Sequence, residues 1–291
     1  MIIVAALYAF LPVTDPAAVR ARVAAAFEPL GLRGTLLVAP EGLNGTIAGT
    51  REAIDAAKTV LAGIAGDTPL SWKESQTEAM PFGRLKVRLK REIVTMGQPD
   101  VDPRASVGRH VAAEEWNDVI RDPGTVVIDT RNAYEVAIGS FDGAVDPQTE
   151  AFGDFPDWWA ENADRFAGKR VAMFCTGGIR CEKSTSYLIR QGVEDVVHLD
   201  GGILKYLETV PEEESLWHGG CFVFDQRVAV GHGLEPTGHL LCYGCRKPLE
   251  TGDTQHPDYE EGVACHRCAH VTSEADKGRY RERHLQRVRA R

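Results

Sequence analysis

The chain has 291 residues, of which 43% are hydrophobic, which is enough for two or three globular domains. The apolar run at residues 1–11 is too short to cross a bilayer and lacks a positively charged leader, so it predicts a strand and no membrane association. Seven cysteines without a secretory signal, four of them in C-x2-C pairs, predict a reducing, cytoplasmic location.

The formal net charge of −9 alone disfavours a nucleic-acid partner, but the charges are unevenly distributed. Residues 1–100 carry 11 Lys and Arg against 10 Asp and Glu, and residues 241–291 carry 10 against 8. Residues 101–240 carry 12 against 24, so the acidity belongs to the middle of the chain. Basic stretches in both flanks are therefore candidates for phosphate binding.

The first part of the chain follows a β-α-β-β-α-β order, which predicts a ferredoxin-like (acylphosphatase-like) α+β domain over residues 1–97. The predicted strands are 2–11, 35–39, 46–48 and 84–90, and the predicted helices are 15–30 and 51–64. A turn-rich connection at 40–45 joins the second and third strands. A sheet of this kind commonly leaves one face open for a partner.

Basic residues alternate with apolar ones along the last predicted strand, at Arg84, Lys86, Arg88 and Lys90. A period of two places these four charges on one strand face. Both a phosphate-binding strip and the solvated face of an edge strand fit this pattern. The tail at 277–291 has seven basic residues and one acid, and is either a disordered end or a nucleic-acid arm.

A linker at 98–103 leads into a second predicted domain, 107–215, in which strands alternate with helices and imply a parallel α/β sheet. An apolar strand at 125–129 ends in an Asp-x-Arg motif formed by Asp129 and Arg131, and Glu135 follows. A later strand at 196–199 runs into Asp200-Gly201-Gly202.

Between these two motifs lies the candidate active-site loop, which follows an apolar strand at 171–174. It reads Cys175, Thr176, Gly177, Gly178, Ile179, Arg180, and Cys181 begins the next helix. Loop N–H groups at a helix N-terminus, together with Arg180, lower a thiol pKa and favour the thiolate, and can also hold an anion. Cys181 is either an auxiliary thiol that resolves an oxidised Cys175 or a packed residue at the start of the helix.

The loop spacing separates two enzyme classes. Cysteine phosphatases place the arginine six positions after the cysteine, whereas Arg180 is five positions after Cys175, which fits a sulfur atom better than a phosphate. With the Asp-x-Arg and Asp-Gly-Gly motifs, the loop resembles that of rhodanese domains. Thr176 departs from sulfurtransferases, which often have a basic residue directly after the cysteine.

The third predicted region, 216–291, contains two C-x2-C units separated by 19 residues. Cys242, Cys245, Cys265 and Cys268 predict a structural Zn²⁺ in a zinc-ribbon-like module, since so short a segment gains its stability from metal ligation. Four thiolates complete the shell, so His266 and His270 are predicted to be surface residues. Cys221 is predicted to pack as a small apolar residue.

The order of these features resembles the bacterial oxygen-dependent tRNA uridine-34 hydroxylase family. The resemblance covers residues 1–230 and is carried by Glu-Gly-Leu-Asn-Gly-Thr at 41–46, the nonapeptide at 175–183, and Cys-Phe-Val-Phe-Asp at 221–225. It implies conversion of the wobble uridine in the tRNA anticodon loop to 5-hydroxyuridine, with O2 as co-substrate and an unidentified reductant. By analogy with rhodaneses, Cys175 is the expected active-site thiol and a candidate persulfide carrier.

The sequence shows no flavin or nicotinamide fingerprint and no obvious two-histidine–carboxylate iron set. Two chemical routes are open: addition of the Cys175 thiolate to C6 of uracil, and a peroxidised sulfur on Cys175. The alternative functions are a rhodanese-type sulfurtransferase carrying a cysteine persulfide and a non-catalytic tRNA-binding module. The intact loop disfavours the second of these.

Overall fold

The front of the chain forms a five-stranded sheet in a computed structural model that describes residues 1–289. Its elements are β1 (Ile2–Phe10), α1 (Pro16–Phe27), β2 (Arg33–Ala39), β3 (Gly42–Gly49), α2 (Arg51–Ala65), β4 (Ser71–Thr77) and β5 (Leu85–Leu89). The strand order is β4-β1-β3-β2-β5, with β5 parallel to β2 and the other pairs antiparallel. This is the predicted α+β architecture with one additional strand.

The additional strand corrects the sequence prediction, which treated the basic strand as the fourth. The fourth strand is β4, whose polar and mostly half-buried residues give no apolar alternation, and the basic strand is the edge strand β5. The predicted turn at 40–45 is also shorter, because β3 begins at Gly42. A side chain at Gly42, where φ is +146°, would lie 2.0 Å from the Ala9 carbonyl oxygen, so only glycine allows this close approach.

The two faces of the front sheet have different neighbours. Ile3, Ala5 and Leu7 of β1 point towards the core formed with α1 and α2. Because side chains alternate along a strand, Ala6 and Tyr8 lie on the other face, which carries no helix of this domain. That face is turned towards the second domain.

The second domain is built on a four-stranded parallel sheet of order β6-β10-β9-β7. Its elements are β6 (Arg109–Val111), α3 (Trp116–Arg121), β7 (Thr125–Asp129), α4 (Ala133–Val136), β8 (Gly139–Phe141), α5 (Phe155–Asn162), β9 (Arg170–Phe174), α6 (Ile179–Arg190), β10 (Val196–Leu199) and α7 (Gly202–Thr209). Separate apolar cores cover its two faces, with Ala172 and Phe174 in one and Val171 and Met173 in the other. Burial on both faces explains why these strands read as continuous apolar runs.

The rest of the chain packs partly on this sheet and partly as a separate module. Its elements are β11 (Trp217–Gly219), β12 (Cys221–Phe222), β13 (Ala229–Val230), β14 (Leu240–Leu241), β15 (Pro248–Leu249) and α8 (Glu274–Arg289). Trp217, Cys221 and Val230 belong to the second domain's core, although they lie beyond residue 216. The basic tail is helical up to Arg289, and its last two residues lie outside the described part. No helix within residues 1–289 is long and apolar enough to cross a membrane.

A buried cation joins the first two domains. The Lys183 ammonium on α6 lies 2.8 Å from a Glu41 carboxylate oxygen and 2.6 Å from one of Glu92. Lys183 is 1% exposed, and these two carboxylates from the front of the chain pair with its buried ammonium. This contact fixes α6, and with it the Cys175 loop, against the front domain.

Candidate active site

The cysteine loop is a sharp turn between β9 and α6. Cys175 directly follows β9, and Gly178, with φ of +100°, directly precedes α6. The Gly178 N–H donates to the Cys175 Sγ at 3.1 Å. A Cβ at Gly178 would lie 3.1 Å from the Tyr8 hydroxyl, so the loop also approaches the front sheet closely.

The Asp-Gly-Gly motif at 200–202 packs against the backbone of the Cys175 loop. Gly202 has φ of +66°, and a Cβ there would lie 2.5 Å from the Cys175 carbonyl oxygen. That carbonyl accepts the Ile203 N–H at 3.0 Å, and the Thr176 carbonyl accepts the Leu204 N–H at the same distance. The motif therefore holds the loop in place by close backbone contact.

Cys175 is held in a setting that favours its thiolate. Its residue is 1% exposed, and burial alone would raise the pKa of the thiol. A hydrogen bond from the Cys181 thiol, the charge of Arg180 and the backbone N–H groups of both residues outweigh burial and lower the Cys175 pKa to about 5. Burial and the neighbouring thiolate raise the pKa of Cys181, so Cys181 stays protonated and donates.

The Arg180 side chain acts on the sulfur through its charge and not through a hydrogen bond, because its guanidinium is bound to Glu135. Its two terminal nitrogens donate to the Glu135 carboxylate at 2.6 and 2.8 Å. The Thr176 hydroxyl accepts from Arg180 and donates to Glu135, both at 3.3 Å. Burial would raise the Glu135 pKa, but the charge and hydrogen bonds of Arg180 hold it below its usual value.

The Asp-x-Arg motif positions Glu135. The Arg131 side chain is fully buried and donates to the Asp129 carboxylate through Nε at 2.8 Å. It also donates to the carbonyl oxygens of Glu135 at 3.2 Å and Gly139 at 2.6 Å. These contacts anchor α4, so this sequence motif is structural and supports the Glu135–Arg180 pair.

Two residues of the site were missed by the sequence analysis, and both come from the front sheet. The Lys73 ammonium on β4 donates to the carbonyl oxygens of Gly177, at 2.8 Å, and Gly201. Burial lowers the Lys73 pKa to about 8. The Tyr8 hydroxyl donates to Glu182 at 3.0 Å. Both side chains lie on the helix-free face of the front sheet. The sequence analysis predicted that one face of this sheet is open for a partner, and that was the available signal that its residues could take part in a site.

A cavity of about 400 Å³ opens beside the cysteine. Its lining comes from the front sheet, the Cys175 loop and the segment after β12, which contributes Phe224 and Arg227. Arg227 is held by Asp225 and donates to the Ser75 hydroxyl at 2.8 Å, which fixes this segment to the front sheet. Phe224 is 64% exposed. The volume is in the range of small-ligand pockets.

The predicted basic strip lies on the cavity side of the front sheet. Sheet register places Lys86, Thr35, Thr46, Ala6 and Lys73 in one row across the five strands. Residues in such a row share one face, and four strand spacings separate the two lysines by about 19 Å. Lys86 and Lys73 therefore lie on the same surface, with the strip outside the cavity.

Positive charge continues from this strip to the C-terminal helix. Burial and the charges of Arg84, Arg88 and Arg246 lower the pKa of Lys86, which places Arg246 of the cysteine-rich module near β5. The Arg246 and Arg287 guanidiniums both lie over the Tyr243 ring, at 5.4 and 4.3 Å from its centroid. A second cavity of about 750 Å³ contains these three residues and shares Phe224 with the first.

The four cysteines of the C-terminal module converge on one point. The Sγ atoms are 3.8 Å apart for Cys242 and Cys268, 3.8 Å for Cys245 and Cys265, and 3.9 Å for Cys265 and Cys268. Four sulfurs at ~2.3 Å from a tetrahedral zinc ion are separated by about 3.8 Å. This arrangement is compatible with a zinc ribbon, and His270 pairs instead with Asp258 at 2.9 Å.

Comparisons with known proteins agree with this architecture. The UPF0176 acylphosphatase-like domain matches residues 2–93, and the Rhodanese-like domain matches residues 112–209. A Jannaschia sp. protein named tRNA uridine(34) hydroxylase is 60% identical over 98% of this chain and 95% of its own length. Proteins of that name from Ruegeria pomeroyi and Roseobacter denitrificans are 59% and 56% identical, over 98% of this chain and 95% and 97% of theirs. This chain belongs to the tRNA uridine(34) hydroxylase family.

Proposed function

We propose that this protein is a cytoplasmic enzyme that hydroxylates the wobble uridine of tRNA, at position 34, to 5-hydroxyuridine. In the reaction, one oxygen atom of O2 replaces the hydrogen at C5 of uracil as a hydroxyl group. The other leaves as water, with two electrons and two protons supplied by an external reductant. Family membership supports the substrate, and the observation that carries the proposal is the buried Cys175 in the cavity lining, in a setting that favours its thiolate.

The size and position of the cavity favour a single unpaired base as substrate. At about 400 Å³ it accommodates a nucleobase but not a helix. A wobble base already lies in a single-stranded loop, so turning it into the cavity costs little unstacking energy. Phe224 is an exposed aromatic ring on the lining and offers a stacking surface for that base or its neighbour.

Cys175 supplies the chemistry in both routes that the sequence left open. Addition of its thiolate to C6 of uracil makes C5 electron-rich and able to attack an oxidant, and elimination later restores the thiolate. In the other route the sulfur itself is oxidised and passes oxygen to C5. Both begin from the deprotonated thiol, which the loop N–H groups, Arg180 and Cys181 favour.

The basic surface offers a path for the anticodon stem-loop. The middle of the chain carries 12 basic against 24 acidic residues and repels phosphates. Arg84, Lys86, Arg88 and Lys90 on or beside β5 therefore supply the tRNA contacts, extended by Arg246 and Arg287. The shared residue Phe224 links this surface to the cavity that contains Cys175.

The sulfurtransferase alternative is not favoured. The relatives that match nearly the whole chain are named hydroxylases. Thr176 bonds to Glu135 and Arg180 where sulfurtransferases often have a basic residue. A sulfur-transfer enzyme also has no need for the nucleobase-sized cavity that the front sheet completes.

Replacement of Cys175 by serine tests the proposed chemistry. Cys175→Ser keeps the loop size but removes the thiolate, so 5-hydroxyuridine in tRNA should fall at least about a hundredfold. Mass spectrometry of tRNA nucleosides from a strain lacking the gene, complemented with each variant, measures this. Cys221→Ala, a buried cysteine outside the loop, should retain the modification. Normal 5-hydroxyuridine with Cys175→Ser would contradict the thiolate mechanism.

Charge reversal on β5 tests the tRNA path. Lys86→Glu with Arg88→Glu should weaken tRNA binding and reduce the slope of log affinity against log salt by about one for each lost phosphate contact. The matched control is Arg22→Glu with Lys58→Glu, an equal charge change on α1 and α2 behind the sheet. Equal affinity and slope in both double variants would show that the strip is only a solvated edge.

Metal analysis tests the cysteine module. We assign Cys242, Cys245, Cys265 and Cys268 to a structural Zn²⁺ on the sulfur distances given above. Protein purified without added metal should contain zinc that Cys265→Ser loses and Cys221→Ala retains. Because ligation is coupled to folding, chelation should also lower the melting temperature of the module. Zinc-free protein with four freely reactive thiols would contradict the assignment.

A further inference from the structure

Two histidines and a glutamate meet beside the active-site helix, outside the cavity lining. His110 on β6 and His198 on β10 are register partners on neighbouring parallel strands, and Glu182 lies on α6. One ligand atom from each of the three residues lies within 4.8 Å of the other two. The Glu182 Oε1 is 3.1 Å from the His110 Nε2 and 3.9 Å from the His198 Nε2.

His198 is the unusual member of this set. It is 1% exposed, and neither ring nitrogen has a hydrogen-bond partner among the described residues. A neutral imidazole has one donor and one acceptor, and burying both without partners costs free energy. Buried polar groups are normally satisfied, so this ring calls for a ligand that the protein atoms do not provide.

The spacing of the three groups suits one small cation. Donor atoms at ~2.1 Å from a common ion lie about 2.9 to 4.2 Å apart, which brackets both carboxylate–imidazole distances. Glu182 contributes a negative charge, and Asp200 adds a second near both histidines. Lys183, the adjacent cation in sequence, is already bound by Glu41 and Glu92.

We propose that His110, His198 and Glu182 bind a divalent first-row transition-metal ion. Two imidazole nitrogens and one carboxylate oxygen suit iron, zinc or cobalt, and leave further coordination positions for water or a small ligand. His110 is 43% exposed at its side chain, which gives an entry path. The Tyr8 hydroxyl donates to Glu182 and orients this ligand from outside the coordination sphere.

This site concerns metal binding alone and does not rest on the proposed hydroxylation. The sequence analysis found no such set because Glu182 lies 72 residues from His110, and strand register alone pairs the two histidines. Tyr8 connects it to the active site, since the same side chain lines the Cys175 cavity. The metal would therefore lie one side chain away from that cavity.

Cobalt titration of the full-length protein tests the site. One equivalent of Zn²⁺ per chain is loaded first, which the four thiolates bind in preference to two imidazoles and a carboxylate. Added Co²⁺ should then bind at one further ion per chain. Its visible bands should lack the thiolate-to-cobalt charge transfer that a cysteine site gives. His198→Gln and His110→Gln should each weaken Co²⁺ binding at least tenfold, while His218→Gln, which alters an exposed histidine paired with Asp142, should not.

Thermal unfolding of each variant checks that it is folded. If His198→Gln proves unstable, His110→Gln still tests the site, because His110 is its more exposed histidine and the variant leaves the buried His198 ring in place. The proposal is overturned if zinc-loaded wild-type protein binds no Co²⁺ in a saturable way. It is equally overturned if His110→Gln binds Co²⁺ as tightly as wild type.

Discussion

The candidate active site depends on one buried ion pair, between Glu135 and Arg180. Both side chains are at least nine-tenths buried. Removing one partner of such a pair lowers the free energy of unfolding by roughly 3 to 5 kcal/mol, because the other charge is left uncompensated. Arg131 and Asp129 fix the backbone that carries Glu135, and Glu135 fixes the start of α6 through Arg180. The loop N–H groups can then point at the Cys175 sulfur. The position of the Arg180 charge near that sulfur therefore depends on three elements: β7, which carries Asp129, α4, which carries Glu135, and α6, which carries Arg180.

The loop does not form the site alone. Lys73 reaches the loop carbonyls from β4, and Arg227 ties the segment with Phe224 to Ser75 on the front sheet. The cavity exists only where these three parts of the chain meet. This arrangement separates two tasks that oppose each other electrostatically. In the proposed function, the acidic middle domain holds the Cys175 thiolate, and the basic flanks attract the tRNA phosphates that the middle domain would repel.

The sequence predicted those features that local pattern controls. Apolar runs identified the buried parallel strands, and the spacing from Cys175 to Arg180 identified the loop. The fourth strand of the front sheet was missed because a polar strand between a core and a cavity has no apolar period. Three features depend on strand register and domain packing, which no short window of sequence contains. They are the ion pair of Arg180 with Glu135, the contact of Lys73 with the Gly177 carbonyl, and the pairing of His110 with His198.

The account rests on Cys175 being a thiolate at neutral pH, and its titration tests this most directly. The ultraviolet absorbance of thiolate, followed against pH as the difference between wild type and Cys175→Ser, isolates this one sulfur from the other six cysteines. The structure predicts a midpoint at about 5, with the thiolate lost as the pH falls through that value. A midpoint near that of an ordinary thiol, at about 8.5, would contradict the account.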